Sequence, residues 1–241
     1  MELPSIGVVL LAGAAVIVGA FVQGSIGFGF ALVVVPAIAL VRPGAVPVTL
    51  LFLALPMALW MALRERGAID MAGFVEISIG RVLGTAGGVW ILATVTTDQL
   101  SVVIGSSLVL AVILSFANPA FEAGSKSRFF AGALSGLMGT SAAIGGPPLA
   151  LAYQKRSGSE LRSTLAISFV VGAIISLAAL AAAGQVEGWH ALFALELAPG
   201  LAVGLFAAVR LSRRLDGVWL RPMVLAFAGI SGVATAVRAL L

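Results

Sequence analysis

Long apolar runs, broken by glycine, proline and short charged stretches, dominate this chain of 241 residues. Ten segments stand out, at roughly 6–22, 28–41, 46–63, 72–93, 99–117, 128–139, 146–154, 163–183, 190–209 and 218–237. They are too long and unbroken for barrel strands, which alternate over about ten residues, so the pattern predicts helices. A bilayer crossing takes about 20 apolar residues. Segments four, five, eight, nine and ten reach that length and segment three nearly does. Segments one, two, six and seven are short, and a Gly-rich break separates the two members of each short pair.

The short pairs match each other. Gln23-Gly24-Ser25-Ile26-Gly27-Phe28-Gly29 aligns with Ser135-Gly136-Leu137-Met138-Gly139-Thr140-Ser141, and the same offset carries Pro36 onto Pro148. Further on, Gly67-Ala68-Ile69-Asp70 resembles Gly184-Gln185-Val186-Glu187, and Asp98 falls opposite Asp216. The chain therefore reads as two halves, 1–122 and 123–241, each with five segments in the same order. An odd number of crossings inverts the second half relative to the first. The expected fold is all-α: a polytopic membrane protein of two inverted repeats forming one membrane domain. Its short, Gly/Pro-interrupted segments would meet near the midplane.

Composition supports the membrane reading. Hydrophobic residues make up 61% of the chain and charged residues 10%, against about a quarter charged in soluble domains. A soluble domain, a disordered chain and a nucleic-acid-binding domain are excluded. With no Cys, so are a disulfide scaffold and thiolate metal sites.

The net charge of +4 reports orientation, because the basic residues sit in short loops. If every break reverses the chain, one side receives Arg64, Arg66, Lys126, Arg128, Lys155, Arg156, Arg162, Arg210, Arg213, Arg214 and Arg221, and the other only Arg42 and Arg238. That is 11 against 2, whereas fusing segments six and seven into one span gives 8 against 5. The bias predicts a reversal there, with the basic face cytoplasmic and both termini periplasmic. Met1 to Ser5 carries no Lys or Arg, which predicts a retained first segment, since signal peptides start basic.

Irregular backbone is tolerated in lipid only where protein or water satisfies it. Gly24, Gly27 and Gly29 are expected to form one irregular stretch, and Gly136, Gly139, Gly145 and Gly146 the other. Interrupted segments at matching places in two halves point to a transporter site. A helix that starts inside the membrane aims free N–H groups and its positive end at what lies ahead, which favours an anion. Pro147 and Pro148 suit a helix start. Gln23, Ser25, Ser135, Thr140 and Ser141 add neutral hydrogen-bonding groups. The rival reading is close helix packing through small residues, and it is preferred for Gly13, Gly80, Gly84, Gly87, Gly88, Gly200 and Gly204.

At these residues the chain resembles the TauE/SafE family, the sulfite exporter family of bacterial membrane transporters. The carrying stretches are Gly19 to Gly29 and Gly132 to Pro148; the Gly139-Thr140-Ser141 run followed by Gly145-Gly146-Pro147-Pro148 is the more specific. The resemblance implies a secondary transporter of the inner membrane that moves small sulfur-containing anions, such as sulfite or organosulfonates, usually outward. One departure is Phe28-Gly29-Phe30, where many members carry a more Gly-rich run.

Ionisable residues inside the segments are functional candidates. Arg81, near mid-depth of segment four, has two readings: counter-charge to an anionic substrate, or an ion pair with Glu76. Glu76 and Glu196 are the candidates for carrying a coupling proton, with an interfacial position as the alternative. His190 and Trp60, Trp90, Trp189 and Trp219 read as interfacial residues. With one His, and without HExxH, GxSxG or a phosphate-binding loop, neither an enzyme, a metal centre nor a cofactor is expected. The expected partners are a small anion, the bilayer and a coupling proton. The alternatives are a passive anion channel and a structural subunit without a substrate.

Overall fold

A computed structural model describes residues 6–65, 67–117, 123–211 and 217–238. Ten helices occupy them: α1 (Ile6–Ile26), α2 (Phe30–Val41), α3 (Val48–Arg64), α4 (Met71–Thr94), α5 (Thr97–Phe116), α6 (Ser125–Ala142), α7 (Gly146–Tyr153), α8 (Gly158–Ala182), α9 (Gly188–Leu211) and α10 (Gly217–Arg238). Each matches one apolar segment, and the described residues contain no strand.

The helix boundaries at the two Gly-rich breaks differ from the expectation. Helix α1 runs through Gln23, Gly24 and Ser25, because the Ser25 hydroxyl folds back onto the Phe21 carbonyl (2.7 Å) and the Gly27 N–H reaches the Gln23 carbonyl (2.8 Å). That extension makes α1 long and apolar enough to cross a membrane, together with α4, α5, α8 and α9. Helix α6 likewise continues through Gly136, Gly139, Thr140 and Ser141 to Ala142. The irregular stretches are therefore only Gly27 to Gly29 and Ala143 to Gly145. Gly24, Gly136 and Gly139 are helical, and Gly146 opens α7. The aligned motifs thus do not superpose the breaks: the first motif runs into its break, and the second ends ahead of it.

The helical glycines bring backbones together. A Cβ on Gly84 would lie 1.8 Å from the Ala133 carbonyl oxygen, and one on Gly136 would lie 2.3 Å from that of Arg81. Only hydrogen in place of a side chain lets α4 and α6 approach this closely. The register rises together along both helices, Gly80 meeting Phe129, Gly84 meeting Ala133 and Gly88 meeting Leu137, so α4 and α6 run parallel. Helices α1 and α9 do the same, with Gly204 on Ile17 and Gly24 on Ala208.

Each short pair returns to the end it left. Arg128 in the first turn of α6 pairs with Glu76, and Tyr153 at the end of α7 donates to Asp70 ahead of α4 (2.8 Å). Both ends of the α6–α7 pair therefore lie where α4 begins. At the far end, His190 near the start of α9 bonds the Gly44 carbonyl just beyond α2 (3.2 Å), and α1, parallel to α9, also starts there. Helix α3 joins the two ends, from Thr49 on the His190 carbonyl to Glu65 beside Arg162.

The helix contacts form matched sets. α1 packs on α9 and α4 on α6; α1 on α2 and α6 on α7; α3 on α9 and α4 on α8; α2 on α10 and α5 on α7. The pairs α3–α8 and α5–α10 complete the bundle. Its outside is apolar: Val75, Ile79, Leu83 and Trp90 project from α4, and Leu192, Leu195, Val203 and Phe206 from α9. Large apolar side chains on the outer surface suit hydrocarbon rather than water.

Candidate anion site

The two breaks meet inside the bundle. A Cβ on Gly146 would lie 3.6 Å from that of Phe28. Beside them is a cavity of about 60 Å³ lined from seven helices and both breaks. Its wall includes Gln23, Gly29, Phe30, Arg81, Gly139, Ala143, Gly145, Gly146 and Pro147. One water needs at least about 10–15 Å³ by this measure, so the space suits a few waters or one small oxyanion.

Local chemistry aims two helix starts at this space. Gly27 (φ 92°) and Gly29 (φ 119°) occupy left-handed backbone that costs other residues about 1–2 kcal/mol. They turn the chain so that α2 starts at Phe30 on the cavity wall. The Phe30 N–H donates to Gln23 Oε1 (2.9 Å), so a side chain of α1 caps α2. With that oxygen engaged, what Gln23 retains for a ligand is its amide NH2. In the second break Ala143 takes the left-handed turn (φ 61°), and α7 starts at Gly146.

Among the described residues, Arg81 is the one ionisable side chain on the wall. It is 4% exposed. Its Nη1 donates to Ser135 Oγ (2.9 Å), and that hydroxyl donates to the Gly145 carbonyl (2.6 Å). Gly172 of α8 makes room for the guanidinium, since a Cβ there would sit 1.9 Å from Cζ. Among the described residues the buried Nε has no hydrogen-bond partner. Of the two readings of Arg81, the pairing with Glu76 is absent, because Glu76 lies about one and a half turns nearer the start of α4 and pairs with Arg128. Among the described residues no carboxylate forms an ion pair with Arg81.

The family model of the sulfite exporter TauE/SafE matches residues 11–235, from the first helix to the tenth. The chain belongs to the TauE/SafE sulfite exporter family. It is accordingly a multi-pass membrane protein of a family that exports sulfur-containing anions. Neither a curated protein nor a solved structure gives a match.

In this TauE/SafE chain the cavity gathers Gln23, Gly29, Arg81, Gly139, Gly145, Gly146 and Pro147 from the expected site. Ser135 stands behind Arg81. The others lie off the lining. Gly24 packs on Ala208, Gly27 lies against the Arg162 stem and Gly136 against the α4 backbone. Ser25 and Ser141 return their hydroxyls to Phe21 and Leu137 of their own helices. Thr140 bonds Ser176 (2.8 Å) and Thr85 (3.3 Å), which ties α6 to α8 and α4. Glu196 is exposed on α9. His190 is buried, accepting from the Glu187 N–H and stacked on Trp189, which lies under the Arg42 guanidinium. The side chain of Trp219 lies outside the described residues.

Sequence reasoning missed the walls from α3 (Leu51, Ala54, Met57, Ala58) and α8 (Phe169, Ala173). Those residues are plain apolar helix, and nothing local separates them from lipid-facing neighbours. Gly172 carried a faint signal as a lone glycine in segment eight.

A polar cluster closes the end of the bundle where α4 begins. Asp70 caps α4 by accepting from the Gly73 N–H (3.0 Å), accepts from the Tyr153 hydroxyl, and its own N–H donates to Thr164 (3.0 Å). It thereby ties α4, α7 and α8 together. Burial pushes its carboxyl pKa up. The bonds from Gly73 and Tyr153 and the charges of Arg128 and Arg156 outweigh burial and hold it below the usual carboxylate value.

Proposed function

We propose that this cavity is the substrate site of a secondary transporter that moves a small sulfur-containing oxyanion, sulfite or an organosulfonate, outward across the inner membrane. The observation that carries the reading is Arg81: a buried cation with no carboxylate partner among the described residues, beside a space onto which two helices begin. A charge buried in this way costs several kcal/mol unless something compensates it. An oxyanion does so, and the starts of α2 and α7 add positive helix ends and the N–H groups left free there, the Phe30 N–H being held by Gln23 and Pro147 and Pro148 having none. Gln23 contributes its amide, and Ser135 holds the guanidinium against the second break. Thr140 and Ser141 act in this reading by holding the wall rather than by touching the anion.

The matched packing supports two inverted repeats, 1–122 and 123–241. Exchanging each helix of the first five with its counterpart in the second five leaves the main packing pairs unchanged. The α1–α2 and α6–α7 pairs enter from opposite ends and meet at the cavity, the arrangement that lets one half rock against the other around a fixed site. Alternating access follows, with the basic face cytoplasmic and both termini periplasmic.

The test is efflux from proteoliposomes containing the purified full-length chain. Saturable release of sulfite or an organosulfonate, lost in Arg81→Gln while that variant keeps its elution profile, is the expected result. Release no faster than from protein-free vesicles for every sulfur oxyanion overturns the reading.

A further inference from the structure

We infer that the cavity accepts singly charged oxyanions and rejects doubly charged ones, so that sulfite would be carried as hydrogen sulfite with its proton aboard. This rests on the reading of the cavity as the anion site. The basis is a charge count. Arg81 supplies one positive charge, and among the described residues the other groups that line the cavity or face Arg81 are neutral. Helix α6 presents Ser135 and Gly139, the second break presents Gly145, and α8 presents Gly172. Gln23 is uncharged, and the remaining lining is glycine, proline and apolar side chains. On α4 itself, the nearest carboxylate is Glu76, and Arg128 neutralises it.

A monoanion therefore brings the occupied cavity to zero net charge. A dianion leaves one negative charge buried without a counter-ion, which is the costly case. The helix starts offset only part of it, because the half charge of a helix start resides on its free N–H groups, the Phe30 N–H is taken by Gln23, and Pro147 and Pro148 have none. The unpartnered Nε–H of Arg81 fits the same count, being a donor that one oxyanion oxygen satisfies. The inference also removes the need for a proton-carrying side chain at the site. Glu76 is engaged by Arg128, and Glu196 is outside the lining. A proton bound to the substrate crosses with it, so transport follows the pH gradient without a titrating residue.

Methanesulfonate and sulfate isolate the charge. Both are tetrahedral, and the methyl group of one replaces a charged oxygen of the other. In proteoliposomes at fixed pH, methanesulfonate should compete with sulfite efflux, with sulfate weaker by on the order of tenfold or more. Sulfite efflux at constant total sulfite, corrected for protein-free vesicles, should fall as pH rises through the second ionisation of sulfurous acid. Sulfate competing as well as methanesulfonate, or efflux that follows the dianion, overturns the inference.

Thermal unfolding of the detergent-solubilised chain separates this from the transport reading. At low concentrations, where the general salting-out effect of sulfate is small, methanesulfonate should raise the melting temperature and sulfate should not. That result without any flux sinks transport and keeps the charge rule. Equal stabilisation by both anions, or by neither, sinks the charge rule. These measurements use the unaltered protein. In addition, Arg81→Lys should keep the discrimination and Arg81→Gln should lose it.

Discussion

Arg81 and Ser135 share a hydrogen bond of 2.9 Å, and Ser135 extends it to the Gly145 carbonyl at 2.6 Å. One hydroxyl thus links the buried cation of α4 to the break between α6 and α7. Ser135→Ala removes both bonds and leaves a charged donor with less company. A loss of about 1–3 kcal/mol is expected, read by denaturant unfolding in detergent, together with weaker anion competition. Unchanged stability would show that the hydroxyl does not support the guanidinium.

Gly172 faces the same guanidinium from α8. Gly172→Ala puts a methyl group 1.9 Å from Cζ, so the Arg81 side chain must leave its place. Overpacking of this kind costs about 1–3 kcal/mol, and the anion site loses its cation position. Gly7→Ala, with nothing within 4 Å of the new Cβ, serves as the control. Equal flux from the two variants contradicts this placement of Arg81.

Asp70 predicts an acid-sensitive end of the bundle. Its carboxyl pKa is lower in the folded chain than its ordinary value. The stabilisation is full above the unfolded value and is lost as pH falls through the lower folded one. Unfolding curves of the wild type and Asp70→Asn should therefore differ near neutrality and converge in acid. A gap that widens on acidification would reverse the sign assigned here.

Thr140 and Gln23 should separate wall from site. Thr140→Ala breaks the bonds to Ser176 and Thr85 and should cost about 1 kcal/mol, with little change in anion affinity. Gln23→Ala removes a lining amide and the cap on the Phe30 N–H. It should weaken anion competition more than Thr140→Ala does. Measuring stability and competition for both variants decides the assignment, and the opposite ranking overturns it.

Much of this was legible in the sequence. The ten apolar runs became ten helices, and glycines and prolines marked where each short pair turns. Gln23, Gly29, Arg81, Gly145, Gly146 and Pro147 were singled out before any geometry, because charge and helix-breaking chemistry are local properties. Less legible was where helix gives way to break. Gly136 and Gly139 look like turn residues by composition, yet they lie within α6, where Gly136 packs directly on the α4 backbone and Gly139 faces the Arg81 side chain. A glycine for close approach and a glycine for a turn are the same letter.

The amino-acid sequence by itself determined the membrane character, the helix count and the position of the buried cation, since these depend on side-chain chemistry and neighbours a few residues away. Only the tertiary structure decided that Arg81 meets Ser135 and Gly172 rather than Glu76, and that α3 and α8 wall the cavity. Those partners are set by which glycine faces let two backbones approach, and the choice is made across more than fifty residues of chain, as between Arg81 and Ser135 (separation 54). Local preference does not reach that far, whereas close packing does.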